Sequence, residues 1–209
     1  MNVLKRSVEA NTLRSERKPE IEIRIHDDLT YAGGTIFDQL GDSEVEQHLF
    51  IDAEEDGVIT RLLWVQFASF VEPTLEPETG LSWDEDDEDD DYEEDEYLQL
   101  ADLVFLHEAG LFNLDEDYVM RPDSRSAQAI RFLDGQGYRL SGDAMFDRLM
   151  WLDRDRRSEL SILYSESLEP LSMEAEDLEE SGEAAQHWPA LAEGLHERAI
   201  ASFTLTEPD

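Results

Sequence analysis

VEQHLFIDAEEDGVITRLLWVQFASFV, residues Val45 to Val71, carries the clearest structural signal in the chain. Two β-rich runs, Val45 to Asp52 and Val58 to Phe70, flank the turn Glu54-Glu55-Asp56-Gly57. Gly57 supplies the positive φ that such a turn commonly requires, so the stretch predicts a β-hairpin. The second arm is apolar on both sides of its period-two alternation. Val58, Leu62 and Trp64 fall on one side; Ile59, Leu63, Val65 and Phe67 fall on the other. Such a strand needs cover on both faces, from helices on one side and strands or loops on the other, or from a sheet that curls around a cavity.

The neighbouring segments extend this sheet. Ile21, Ile23 and Ile25 alternate with Glu22, Arg24 and His26, which predicts a half-buried strand. TYAGGTIFDQL predicts another, with Gly33 and Gly34 marking a bulge or a close backbone approach. The low β-branched content of YLQLADLVFLHEAGLF fits strand or helix; its length and apolar flanks, like those of the other sheet segments, favour strand. A second hairpin runs from Phe146 to Asp153 and from Glu159 to Leu168, with Leu160, Ile162 and Tyr164 opposing Glu159, Ser161, Leu163 and Ser165. The two hairpins share a loose pattern, HLFID…RLLWVQFASFVEP and RLMWLD…ELSILYSESLEP. Antiparallel hairpins resemble one another anyway, so the pattern does not establish a duplication.

Helices are fewer. Asp123 or Ser124 can cap SRSAQAIRFLDGQG, which stops at Gly135 and Gly137. Met173 to Glu183 reads as a short helix or a linker. A last helix starts near Pro189 with the stripe Trp188, Leu191, Ala192, Leu195 and Ala199, and Ser202 to Leu205 forms a closing strand that can complete the sheet. The prediction is an α+β domain over residues 1–209: a twisted, largely antiparallel sheet, open or barrel-like, with two or three helices packed on it.

Charge sets the environment. The chain has 53 Asp+Glu against 16 Lys+Arg, a net charge of -37, and its only lysines are Lys5 and Lys18. Twelve carboxylates lie between Asp84 and Glu96, yet without them the charge would still be -25. The run, within a loop at about 72–96, predicts a solvated, mobile segment. An acidic coat that avoids Lys fits solubility in molar salt, where the Debye length shrinks to about 3 Å and self-repulsion fades. Residues 121–157 form an arginine-rich island, read as partners for nearby carboxylates. The absence of cysteine excludes disulfides and thiol chemistry, and no apolar run reaches membrane-spanning length. A soluble cytoplasmic protein of a salt-loving cell is expected, with neither membrane nor direct nucleic-acid partners.

No motif names a reaction. GxSxG, HExxH, Walker and GxGxxG patterns are absent, and no cofactor signature occurs. Five histidines, His26, His48, His107, His187 and His196, lack ligand spacing, so no metal site is predicted; His107-Glu108 and His196-Glu197 carry no signal as dipeptides. Polar residues embedded in the strands are the expected ligand-binding groups if the sheet encloses a cavity, namely Gln47, His48, Arg61, Gln66, Arg148 and Tyr164. The leading reading is a non-enzymatic module that binds a small molecule or a protein. The alternatives are an enzyme whose site is built from His48, Arg61 and Tyr164, and an acidic decoy that occupies a basic protein partner.

Overall fold

In the computed structural model the described residues are 3–74, 96–112, 124–140, 142–179 and 181–207. The acidic run up to Asp95 lies outside them, as does most of the expected loop. Eleven strands and three α-helices are described: β1 (Ser7–Glu9), β2 (Thr12–Ser15), β3 (Ile21–Ile25), β4 (Thr30–Gln39), β5 (Ser43–Ala53), β6 (Ile59–Phe70), β7 (Glu96–Leu100), β8 (Leu103–Phe112), α1 (Arg125–Gly135), β9 (Ala144–Leu152), β10 (Ser158–Ser167), α2 (Ala175–Leu178), α3 (Trp188–Ala201) and β11 (Phe203–Thr206). The architecture is α+β, with antiparallel pairing throughout both of its sheets.

The barrel-like alternative is corrected, because the strands form two open sheets. Seven pair in the order β4-β5-β6-β10-β9-β8-β7, and four in the order β1-β2-β3-β11. The predicted closing strand, β11, therefore joins β3 in the smaller sheet. Both predicted hairpins occur, and their second arms pair with each other across β6 and β10, Ile162 opposite Val65. The meanders β4-β5-β6 and β8-β9-β10 thus meet edge to edge, in a layout that a duplication would produce.

Double coverage explains the doubly apolar β6. On one face, Leu63, Val65 and Phe67 pack with Ile21, Ile23 and Ile25 of β3 and with Leu195 and Ala199 of α3. On the other, Leu49, Ile51 and Leu62 meet Ala129 and Leu133 of α1. Ile59 belongs with this second group rather than with Leu63, because a register shift opposite Asp52 and Ala53 interrupts the alternation. Gly33 combines both expected roles. A bulge separates Tyr31 from Gly33, and a Cβ there would lie 2.7 Å from the Phe132 ring of α1.

Helix α1 starts where its cap predicts: the Ser124 side chain accepts from the Ala127 N–H. The segment before β9 that read as a single strand is a tight hairpin, β7-β8, turned at Ala101 with φ 50. Arginines of the island have carboxylate partners: Arg125 with Glu159, Arg139 with Asp56, Arg148 with Glu108 and Arg157 with Glu72. Among the described residues no helix is long and apolar enough to cross a membrane.

Candidate functional site

The α1 face of the large sheet is incompletely filled. Alternation points Leu62 and Trp64 of β6, Leu163 and Ser165 of β10 and Phe146 of β9 toward this face, and α1 supplies Ser126, Ile130 and Leu133 from above. The result is a narrow, mainly apolar cleft with a free volume of about 50 Å³, part of it open to solvent. It lies on the α1 side of the sheet. On the opposite face the smaller sheet and α3 pack together against the hydrophobic core.

The cleft floor has an unusual polar edge. Register places Leu49, Trp64, Leu163, Arg148 and Glu108 in one transverse row across five strands. Arg148 is 4 % exposed and donates through Nη2 to Glu108. Its Nε–H, and the indole N–H of Trp64, have no acceptor among the described residues. Two buried donors thus flank the apolar side chain of Leu163. Leaving a buried donor unmade costs about 1–3 kcal/mol each, so the row is a place where an acceptor is worth having.

A second cluster lies on the opposite face. Asp147 of β9, 1 % exposed, accepts at Oδ2 from His107 Nε2 of β8 at 2.7 Å and from His196 Nδ1 of α3 at 2.9 Å. The two imidazoles lie 4.4 Å apart, centre to centre, tilted by 54°. One donor atom from each of the three residues lies within 4.8 Å of the others, the spacing of a group able to hold a metal ion.

No protein-family model, curated protein or solved structure matches the chain. The reading of both clusters rests on their own chemistry.

The six residues expected to line a cavity divide between the two faces. Gln47 and Gln66 meet beneath the start of α1: Gln47 Nε2 donates to Gln66 Oε1 at 3.1 Å and to the Arg125 carbonyl at 3.0 Å. Arg125 Nη1 donates to Glu159 at 2.6 Å, so this group ties α1 to the sheet beside the cleft. Arg148 shares a register row with the cleft residues Trp64 and Leu163 but is not among the residues that line the cleft. Arg61 reaches the cleft's rim, but its guanidinium is held by Asp52 and Asp28 and stays protonated.

His48 and Tyr164 sit on the α3 face. Tyr164 donates to Glu166 at 2.7 Å and also meets Arg61; burial, then Glu166, pushes its hydroxyl pKa upward. His48 is fully buried between Tyr31 and Glu46, in the next register row, with Val65 rather than Leu63 beside it. Burial and the Glu46 charge raise the Tyr31 hydroxyl to about 12. Arg61 and Tyr164 therefore come together while His48 stays apart in a closed network. Sequence reasoning missed His107, Asp147 and His196, because their grouping depends on the β8-β9 register and on where α3 docks.

Proposed function

We propose that this chain is a non-enzymatic binding protein of a salt-adapted cytoplasm, and that its ligand is a small, neutral, largely apolar molecule bearing an oxygen acceptor. The observation that carries the reading is the buried indole N–H of Trp64, which lines the cleft beside Leu163 and has no acceptor among the described residues. The Arg148 Nε–H lies beyond Leu163 in the same register row, outside the cleft lining. Apolar walls with a few convergent polar groups are the usual makeup of a small-molecule site. A carbonyl or ether oxygen would satisfy a donor that otherwise stays unmade, while the apolar body covers Leu163 and Phe146.

Neutrality follows from charge. Arg148 already faces Glu108, and the chain as a whole carries -37, so an anion would lose its hydration without gaining an unmatched cation. The enzyme alternative has less support, since His48 lies apart from Arg61 and Tyr164. The decoy alternative depends on the acidic run, which up to Asp95 lies outside the described residues.

The test is calorimetric titration of the full chain in molar KCl with a medium-chain ketone, 2-nonanone, and with octanoate. Saturable binding of the ketone, abolished by Ile130→Trp, is expected. Octanoate binding as tightly as the ketone, or ketone binding untouched by Ile130→Trp, would refute the assignment.

A further inference from the structure

We infer that His107, Asp147 and His196 form a site for a divalent transition-metal ion, on the face of the sheet opposite the cleft and independent of any ligand there. The first argument is one of contrast. The other buried carboxylates pair with cations: Glu46 with Arg6, Glu159 with Arg125 and Asp153 with Lys18. Among the described residues Asp147, equally buried, has no Arg or Lys partner and faces two imidazoles instead. A carboxylate taken out of water needs positive charge or several donors to offset its lost hydration. Neutral imidazoles offer only two N–H bonds to one oxygen. A divalent cation would match the charge fully.

Donor chemistry narrows the ion. Two imidazole nitrogens and one carboxylate suit zinc and its first-row neighbours, whereas calcium and magnesium take shells made of oxygen. The geometry needs little change. Tetrahedral bonds of about 2.0–2.1 Å separate ligand atoms by about 3.3 Å, so each nitrogen would retreat from Oδ2 by roughly half an ångström. Three protein ligands leave a fourth position, and it has an approach, since the His196 side chain is 31 % exposed and that of His107 11 %. The ion's remaining ligand would be exchangeable water. Because the donors come from β8, β9 and α3, binding would also fasten α3 to the sheet, which the unfolded chain cannot do.

The test uses the full chain, stripped by chelation and held in molar KCl. Co²⁺ should bind with one-to-one stoichiometry and give visible d–d absorption, which Zn²⁺ displaces and excess Mg²⁺ does not. Zn²⁺ at a hundredfold excess over its Kd should raise Tm by about 5–10 °C. His196→Gln, at a partly exposed position, should fold as the parent does by circular dichroism and lose the cobalt bands. His107→Gln should lose them too, and His26→Gln should keep them. Absent bands, bands unchanged in His196→Gln, or displacement by Mg²⁺ as expected for diffuse binding to the acidic coat would each overturn the assignment. The triad would then be a hydrogen-bonded fastening and nothing more.

Discussion

Arg6 and Glu46, forty residues apart, form a buried ion pair that joins the segment entering β1 to β5: Arg6 Nη1 donates to Glu46 Oε2 at 2.9 Å. The backbone N–H groups of Lys5 and Arg6 donate to the other carboxylate oxygen, at 2.9 and 3.0 Å, and Arg6 lies 3.6 Å over the Phe67 ring. Burial alone would raise the Glu46 pKa, but hydrogen bonds from His48 and the Arg6 N–H, with the Arg6 charge, hold it below its ordinary value of 4.5. A carboxyl depressed in the folded state stabilises the fold above its unfolded pKa, and the contribution is lost as pH falls through the folded value. Acid denaturation should therefore steepen below about pH 4.5. Glu46→Gln should remove that step and cost about 3–5 kcal/mol near neutrality, by leaving the Arg6 charge unpaired. Urea midpoints across the pH range check both statements.

Gly57 and Gly137 separate two effects of a methyl group. Both have positive φ, 86 and 88. A Cβ on Gly57 would lie 2.5 Å from the Gly137 carbonyl oxygen, whereas one on Gly137 meets nothing within 4 Å. Gly137→Ala should cost only the backbone penalty, about 1–2 kcal/mol. Gly57→Ala should cost clearly more, as measured by chemical denaturation of the two variants side by side.

Glu159 links fold stability to the cleft. It accepts from Arg125, the first residue of α1, and both side chains are buried. Glu159→Gln should destabilise the protein by about 3–5 kcal/mol. It should also weaken ketone binding, because the helix that walls the cleft loses its anchor. His107→Gln, on the opposite face, should leave ketone binding unchanged in the same titration.

Much of the fold was legible because alternation and turn chemistry agreed. Both long hairpins, α1 and α3 were readable from Gly57, Ser124, Pro189 and the apolar stripes. The short strands β1 and β2 were not: they span three and four residues, only Leu13 among their apolar residues is fully buried, and their turn places Ala10 and Asn11 at positive φ without a glycine to mark it. Ile59 was assigned to the wrong face because nothing in the sequence announces the register shift beside Ala53. The site was less legible still. Arg148 was named for its polarity inside a strand, but its alignment with Trp64 and Glu108 depends on the β6-β10 pairing, a long-range choice. His196 reaches Asp147 across 49 residues, and local spacing cannot encode that contact.

The charge of -37 predicts its own salt dependence. Self-repulsion should depress the thermal midpoint in dilute buffer and relax as the screening length falls from about 30 Å at 0.01 M to about 3 Å at 1 M. Tm should rise steadily with KCl in differential scanning calorimetry. A midpoint independent of salt would remove the adaptation to brine and return the acidic coat to the decoy reading.

The indole N–H of Trp64 reports on the cleft without an intermediary. In an amide- and indole-resolved NMR titration of the ¹⁵N-labelled full chain, with Trp64→Phe assigning the peak, 2-nonanone should shift that single indole resonance saturably. The other three indoles should stay in place. A Trp64 signal that does not move at saturating ketone, or moves equally in Ile130→Trp, would contradict a ligand seated against Trp64 in the cleft.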